Sequence, residues 1–172
     1  MMQNFKKDMM QAYEMSDLRL LNYFLGIEVF QVKEGIFISQ KKYTKGILQK
    51  FKIMECMSVA ILLVANEKFR KDDGEKKVNS SLYRSLIGSL LYFTSTRLDI
   101  MFAASLLSRF MQEPSKVHFR AAKRVLRYLQ GTMDYGILYK IGGNLNLIGY
   151  SDSDWDGSID DVKSTFGYAF LF

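Results

Sequence analysis

The fold of this chain is decided by residues 108–132, which read SRFMQEPSKVHFRAAKRVLRYLQGT. Pro114 ends the preceding element, Ser115 has the chemistry of an N-cap, and Gly131 is a natural helix stop. At 100° per residue, the basic residues between them fall within an arc of roughly 100°, opposite a cluster of apolar ones. The stretch therefore predicts an amphipathic helix with one cationic face. Its basic residues are Lys116, Arg120, Lys123, Arg124 and Arg127, and its apolar ones are Ala121, Ala122, Val125, Tyr128 and Leu129.

A cationic helix face is typical of two different situations. It suits a rod-shaped polyanion such as a nucleic-acid duplex, and it is equally common on helices whose charges are only solvated. The helix by itself leaves both alternatives open. Over the whole chain, 24 Lys and Arg against 18 Asp and Glu give a formal net charge of +6, which moderately favours polyanionic partners.

The composition of the 172 residues bounds the class of protein. A hydrophobic content of 48%, with 14% aromatic residues, excludes a disordered chain and permits one domain or two small ones. The single cysteine, Cys56, allows no intramolecular disulfide, which fits a reducing compartment. The N-terminus lacks a secretory signal, and the apolar runs at 59–65 and 86–93 are too short or interrupted to cross a bilayer. We therefore expect an intracellular chain without a membrane partner.

Before the basic helix, the chain alternates between helical and strand periodicity. Residues 5–13 repeat apolar side chains every four positions, which predicts a helix, and residues 41–51 predict a second, amphipathic one. Between them, residues 23–32 predict one strand that a short turn joins to an antiparallel strand at 36–39. Residues 59–65 fit either a strand or a buried strap. The first strand is expected to place Leu25, Ile27 and Val29 on one face.

Two further helices and three strands complete the prediction. A strong helical pattern begins at Leu82, and Asp99 is the expected N-cap of the helix that follows. Beyond the basic helix, strand periodicity at 136–140, 145–151 and 164–172 predicts a fresh sheet. The apolar stripe of the first helix comprises Tyr83, Leu86, Ile87, Leu90, Leu91 and Thr94, and that of the second comprises Ile100, Ala103, Ala104, Leu107, Phe110 and Met111.

The densest carboxylate cluster allows three interpretations. Asp152, Asp154, Asp156 and Gly157 have the spacing of a calcium-binding loop, but Lys163 stands where a bidentate Glu belongs. Asp152 could instead be one ligand of a two-metal phosphodiester hydrolase, which needs several more carboxylates. The third interpretation is a polar turn between strands. On the residues alone, the turn is preferred.

The only histidine, His118, lies on the apolar side of the basic helix. A hydrogen-bonded core histidine is the default interpretation of such a position. The sequence contains no nucleophile–His–acid pattern, no glycine-rich phosphate loop and no CxxC pair. The residues by themselves therefore predict no catalytic centre.

Several stretches together resemble a known family. They are YFLGIEV, GIFISQKKYTKGIL, YRSLIGSLLYFTSTRLDI, SRFM..P...H..AAKRVLRYLQGT, DYGILY and GYSDSDW…STFGYAF. In this order and spacing, the chain resembles the Pol polyprotein of copia-type LTR retrotransposons. The resemblance is poor only over residues 56–79.

The resemblance implies where the parts of a reverse transcriptase lie. The polymerase carboxylates of the family lie upstream of the helix at 5–13, so the chain would begin after the polymerase active site. The hairpin at 23–39 resembles the primer-grip region of the palm. The helices over 41–130 resemble the thumb and connection, which hold an RNA–DNA hybrid or DNA duplex through backbone phosphates. This gives the cationic helix face a partner. The primer-grip-like positions are Phe24, Leu25 and Gly26.

The last strands resemble the start of a ribonuclease H domain. Asp152 then matches the first of four metal-binding acidic residues, and the positions of the other three fall beyond residue 172. Asp154 is a conceivable substitute for Asp152. The resemblance implies Mg²⁺ in the parent enzyme, in a virus-like particle in the cytoplasm or in the nucleus. We expect no cofactor, no polymerase activity and no nuclease activity in this chain alone, because one ligand of four makes no two-metal site.

The sequence thus predicts an α+β fold in three units. Residues 1–40 form the end of a palm with its antiparallel hairpin, 41–133 form a helical thumb and connection, and 134–172 form the first strands of an incomplete ribonuclease H-like mixed sheet. The expected identity is a reverse transcriptase piece truncated at both ends. The alternatives are a non-enzymatic nucleic-acid-binding remnant and a drifted element fragment with no function. Its oligomeric state stays open.

Overall fold

A computed structural model describes residues 2–15, 20–64, 68–142, 146–153, 160, 164 and 166–171, and confirms an α+β architecture. A 3₁₀ turn at Leu98–Ile100 leads into the fourth helix. The helices are α1 (Met2–Ala12), α2 (Lys41–Lys50), α3 (Ser80–Phe93), α4 (Met101–Ser108) and α5 (Lys116–Gly131); the strands are β1 (Tyr23–Phe24), β2 (Ile27–Val32), β3 (Gly35–Ser39), β4 (Gly136–Lys140), β5 (Ile148–Ser153) and β6 (Phe166–Leu171).

The core lies between α2, α3, α4 and α5, and the predicted stripes of these helices supply most of it. One position of the α3 stripe is wrong, since Leu91 is exposed and Phe93 is buried instead. These two residues lie at opposite edges of the stripe, so the position of the neighbouring helix determines which of them is buried. On the Phe93 side, the ring of Tyr43 from α2 lies 4.9 Å away between centroids. The fully buried members of α3 are Tyr83, Leu86, Ile87, Leu90 and Phe93.

The predicted strand at 23–32 is broken by a tight turn. Leu25 has φ 47° and Gly26 has φ 82°, so both turn residues are in the left-handed region, as in a type I′ hairpin. Phe24 therefore pairs with Ile27 across the turn, and β1 and β2 are antiparallel neighbours. The expectation that Leu25, Ile27 and Val29 share one strand face is wrong, because Leu25 lies at the tip of a hairpin.

The first sheet has the order β1-β2-β3-β4, with every pairing antiparallel. The expectation that a fresh sheet begins at β4 is wrong, because β4 pairs along its whole length with β3. Glycines permit this approach. A Cβ at Gly136 would lie 2.1 Å from the Ile38 carbonyl oxygen, and one at Gly35 would lie 1.9 Å from the Tyr139 carbonyl oxygen. The chain thus returns from α5 to the hairpin that precedes α2.

Strands β5 and β6 form a separate two-stranded antiparallel sheet. Among the described residues there is no parallel pairing, so the expected mixed sheet is not seen there. Phe166, Tyr168 and Phe170 occupy alternate positions of β6, and all three are exposed.

The structure decides two open points between the helices, the path of the strap and the cap of α4. The segment 54–64 forms an irregular strap, without a strand, whose Leu62 and Leu63 pack against the core. Asp99 is not the N-cap of α4, because it lies inside the 3₁₀ turn and Ile100 holds the cap position. The Asp99 carboxylate instead accepts two hydrogen bonds from Arg97, at 2.9 and 2.7 Å.

Candidate nucleic-acid interface

Helix α5 is oriented by a capping box at its N-terminus. Ser115 Oγ accepts a hydrogen bond from the His118 backbone N–H at 3.4 Å, and His118 Nδ1 accepts one from the Ser115 N–H at 3.0 Å. The His118 ring also stacks on Phe110, with centroids 3.9 Å apart and planes 11° apart. The prediction of a hydrogen-bonded core histidine is confirmed, and these contacts hold the start of α5 rigidly against the end of α4.

Burial keeps His118 neutral. It lowers the pKa of His118, while the nearby Asp73 carboxylate opposes that shift and the charge of Lys77 adds to it. Since Nδ1 accepts the Ser115 N–H, the proton of the neutral ring is on Nε2, which makes no hydrogen bond among the described residues. Ser115 Oγ donates to Asp73. Ser115 is fully buried, so this Asp–Ser–His grouping caps a helix and offers no nucleophile to a substrate.

The five basic residues of α5 do not have equal surroundings. The side chains of Lys116 and Arg120, in its first turns, are exposed and make no hydrogen bond or ion pair within the described ranges. Lys123 is half-buried, and its Nζ lies 5.0 Å from the centroid of the Phe119 ring. We call Lys116, Arg120 and Lys123 the open half of the basic face.

The strap at 54–64 covers the other half of the basic face, formed by Arg124 and Arg127. Arg127 Nε donates to the Met57 carbonyl at 2.6 Å, and Arg124 Nε donates to the Ile61 carbonyl at 3.1 Å. The Val59 N–H donates in turn to the Arg127 carbonyl at 3.4 Å. These two arginines therefore fasten the strap to α5. We call Arg124 and Arg127 the strap half; their contact with nucleic acid, like that of the open half, stays a prediction.

The primer-grip-like residues form an exposed apolar tip on the first sheet. Phe24 and Leu25 are exposed, and the Tyr92 hydroxyl from α3 donates to the Leu25 carbonyl. Gly26 has φ 82°, a conformation that favours glycine, whereas a Cβ there would make only ordinary contact with the Tyr92 hydroxyl oxygen, at 3.4 Å. The tip is anchored through its backbone, with its side chains directed outward. The role of the tip in holding a primer stays a prediction.

Sequence reasoning missed a buried arginine that joins three elements. Arg97 is 4% exposed and binds the Asp99 carboxylate as well as the Thr132 carbonyl and hydroxyl, at 3.0 and 2.7 Å. Its guanidinium also lies 5.6 and 5.3 Å from the ring centroids of Tyr128 and Tyr135. The network fixes the link from α5 to β4. The signal available beforehand was a charged pair, Arg97 and Asp99, two positions apart at a helix junction.

The Asp99 carboxylate stays ionised in this network. Its burial acts to raise its pKa, but the Arg97 guanidinium and the Tyr128 hydroxyl, which donates at 2.9 Å, bring the pKa of Asp99 below its usual value. A second ion pair, between Lys41 of α2 and Asp134, ties the same link to the start of α2. The polar contacts thus fix the link that carries the chain from α5 into β4.

The acidic cluster is described only in part. Asp152 is exposed on β5, and its Oδ1 accepts the Ser153 N–H at 2.9 Å. The described residues contain no group of three or more potential metal-binding side chains, so they do not fit a two-metal centre. The calcium-loop and substitute-ligand predictions rest on residues outside the described ranges: Asp154, Asp156, Gly157 and Lys163. Within those ranges, no helix is long and apolar enough to cross a bilayer.

Comparisons with known proteins match the chain to reverse transcriptases and to transposon polyproteins. The family model for reverse transcriptase (RNA-dependent DNA polymerase) matches residues 1–65. The chain is 40% identical over 158 residues, or 92% of its length, to the retrovirus-related Pol polyprotein from transposon RE2 of Arabidopsis thaliana. It is 34% identical over 176 residues, or 97% of its length, to the Pol polyprotein from transposon TNT 1-94 of Nicotiana tabacum.

A shorter relative covers nearly the same region. The chain is 36% identical to the uncharacterized mitochondrial protein AtMg00810 of Arabidopsis thaliana over 159 residues, which are 91% of this chain and 65% of that protein. The chain spans only 11% of the RE2 polyprotein and 13% of the TNT 1-94 polyprotein. No solved structure matches it. The long, in-order matches to transposon polyproteins carry the conclusion: the chain belongs to the reverse transcriptase-containing Pol polyproteins of copia-type retrotransposons.

Proposed function

We propose that this chain holds the template–primer duplex of a copia-type reverse transcriptase, acting by binding rather than by chemistry. The observation that carries the proposal is the open half of the basic face. Lys116 and Arg120 are exposed on one side of a helix whose start is locked by the Ser115–His118 capping box. A rigid helix with outward cations suits the phosphate backbone of a duplex, because such contacts need position and charge more than base recognition.

The strap half has a different role in this proposal. Arg124 and Arg127 each use Nε to hold the strap, so their first contribution is to the shape of the surface. Any phosphate contact from them would come from the remaining guanidinium nitrogens. The open half is therefore expected to carry most of the affinity.

The exposed tip at Phe24, Leu25 and Gly26 is proposed as a second contact, to the primer strand. What supports it is the resemblance of the YFLGIEV stretch to the primer-grip region, together with the exposure of Phe24 and Leu25. A hairpin tip with two left-handed residues is a strained conformation for Leu25, and such strain often accompanies function. The tip would position a strand rather than react with it.

The catalytic parts of the parent enzyme are proposed to lie elsewhere. In the parent, Mg²⁺ would be held by several carboxylates, of which Asp152 corresponds to one. We propose β5 and β6 as strands of a ribonuclease H-like unit, residues 41–133 as thumb and connection, and residues 1–40 as the end of the palm. By itself the chain is expected to show neither polymerase nor nuclease activity. Its proposed place is that of the parent, in the cytoplasm or nucleus.

A second candidate function is a non-enzymatic nucleic-acid-binding remnant. This remnant would use the same surface. The contiguous core that α2 to α5 form supports it, because a folded helical unit can present the basic face without the rest of a polymerase. The third alternative, a drifted fragment with no function, predicts a folded chain without duplex affinity.

The proposal is tested by fluorescence anisotropy of the full chain with a labelled RNA–DNA hybrid across a salt series. Affinity is expected to fall steeply with salt, with a log–log slope of about −0.9 per phosphate contact. Replacing Lys116 and Arg120 together by Ala should lower the magnitude of that slope by about 2 and leave unfolding unchanged. Absence of binding by the folded chain at low salt would reject both binding functions.

Matched variants separate local contact from overall charge. Lys33→Ala with Lys45→Ala removes two charges from the β2–β3 turn and from α2, and should leave the slope nearly unchanged. Arg127→Lys keeps the charge and removes the Nε donor to the strap, so it should lower stability more than affinity. Equal loss of affinity in the control and in the Lys116 and Arg120 variant would count against the α5 surface.

A further inference from the structure

We infer that Lys76 extends the duplex-binding surface beyond α5; this inference rests on the proposed function. We call residues 68–79, KFRKDDGEKKVN, the basic flank, because they contain five Lys or Arg against three Asp or Glu. The sequence resemblance is poor here, and no role follows from it. The assignment comes from where the flank lies in the fold.

The backbone of the flank is bonded directly to the start of α5. The Lys116 N–H donates to the Lys76 carbonyl at 3.0 Å, and the Val78 N–H donates to the Pro114 carbonyl at 2.8 Å. Lys77 and Ser115 form an antiparallel β-bridge between these two bonds. Lys76 is thus held beside Lys116, the first member of the open half, by main-chain contacts that do not use its side chain.

Further contacts hold the rest of the flank in place. Phe69 is buried, and its ring centroid lies 6.1 Å from that of Phe110 and 5.9 Å from that of His118. The Lys77 ammonium donates to the Lys71 carbonyl at 2.7 Å. Contacts of this kind hold the backbone of the flank in place, so less backbone entropy is lost when a polyanion binds.

The charges of the flank are unequal in their availability. The Asp73 carboxylate accepts hydrogen bonds from Ser115 Oγ and, at 3.0 Å, from the Glu75 N–H, which directs it into the structure. Lys76 is exposed and its side chain has no hydrogen bond or ion pair among the described residues. Glu75 and Asp72 are exposed acids of the same segment. The flank therefore adds a cation next to α5 whose effect Glu75 moderates.

The surface continues toward the flank rather than toward the strap. At the other end of the basic face, the strap covers the helix and takes the Nε donors of Arg124 and Arg127. The backbone N–H groups of Lys116 and His118 are also taken, by the Lys76 carbonyl and Ser115 Oγ, so neither group is available to an anion. Lys76 thus lies next to the open half, beyond Lys116 at its first turn.

The test measures the affinity for the hybrid and its salt slope in two variants, one that removes a positive charge and one that removes a negative charge. Lys76→Ala should weaken binding about 3- to 10-fold and reduce the slope magnitude by about 1, as for a lost phosphate contact. Glu75→Gln should tighten binding about 2-fold by removing an opposing charge. Neither side chain makes a described contact, so both variants should unfold like the parent chain.

The matched controls lie on the β2–β3 turn. Lys33→Ala and Glu34→Gln make the same two charge changes at exposed positions, at the sheet end opposite the Ser39–Gly136 pair that receives the chain from α5. Both should leave affinity within about 1.5-fold of the parent. Equal effects in the flank and in the β2–β3 turn would overturn the assignment to Lys76. A salt slope that is unchanged in Lys76→Ala but reduced in Arg120→Ala would overturn it as well. Loss of all binding in the parent chain would instead reject the proposed function.

Discussion

The helical unit α2–α5 and the β5–β6 pair contain similar apolar residue types in opposite surroundings. Phe93 at the end of α3 is 0% exposed, whereas Phe170 in β6 is 59% exposed. The helices meet one another with complementary stripes, so their apolar side chains are removed from water. The strands bond to each other by their edges and leave their faces in solvent. Hydrophobicity by itself therefore creates no core; facing elements within the structure do.

The largest effect is expected from the same substitution in the two regions. Phe93→Ala should lower the free energy of unfolding by about 3–5 kcal/mol, because it removes a buried ring and leaves a cavity. Phe170→Ala should change it by less than about 0.5 kcal/mol, as for an exposed side chain. Urea denaturation followed by circular dichroism measures both. Comparable losses would mean that the β6 ring is covered in solution and would break the comparison.

A second test concerns the buried Arg97, which pairs with Asp99 and binds Thr132 in the link from α5 to β4. Arg97→Ala should destabilise the chain by about 2–4 kcal/mol, because the Asp99 carboxylate keeps only the Tyr128 hydroxyl as a donor and the Thr132 carbonyl loses the Arg97 guanidinium. Arg120→Ala removes an arginine of the same kind from the open half and should stay within about 0.5 kcal/mol. If both variants change the free energy of unfolding by the same amount, the Arg97 network contributes no more to stability than a surface charge does.

Acid should destabilise the helical unit through His118. Its pKa is lowered by burial, so below the unfolded value of about 6.5 the unfolded state binds a proton that the folded state excludes. The contribution of neutral His118 to the free energy of unfolding is therefore fully present above that pH. It falls as the pH drops, by at most about 1.4 kcal/mol per pH unit. As this is the only histidine of the chain, the loss between pH 7 and 5 reports it clearly.

The matched variant for this test is His118→Gln. Glutamine at the third position of a capping box can accept the Ser115 N–H without titrating. The variant should keep the cap and flatten the pH dependence in this range. An unchanged pH slope in His118→Gln would show that another group is responsible.

The smallest effect is expected at the tip of the first sheet. Leu25 is 71% exposed at φ 47°, so Leu25→Asn, which creates the favoured Asn-Gly turn, should stabilise the chain by about 0.5–1 kcal/mol. Leu25→Ala keeps the strain and serves as control. If Leu25 contacts a primer strand, both variants should weaken hybrid binding while only the first raises stability. A lower free energy of unfolding in Leu25→Asn would contradict the claim that Leu25 is strained at this turn.

Most helices could be predicted because their signals are local. The Ser115 cap, the Gly131 stop and the stripe of α5 are each set within one or two turns, and all are confirmed. The turn at Leu25-Gly26 was missed because leucine is rarely left-handed, and strand periodicity ran through it. Asp99 has the chemistry of a cap, yet a buried Arg97 two positions away competes for its carboxylate.

The sequence alone determined the helical elements, the α+β class, the cationic face of α5 and the family, because each depends on residue order over short spans or on motifs in series. Tertiary structure alone decided that β4 joins β3, that Arg97 is buried, and that the strap takes Arg124 and Arg127 while Lys116 and Arg120 stay open. Those outcomes depend on which surfaces meet in space. Periodicity reports the face that a residue occupies, but not the segment that will cover that face.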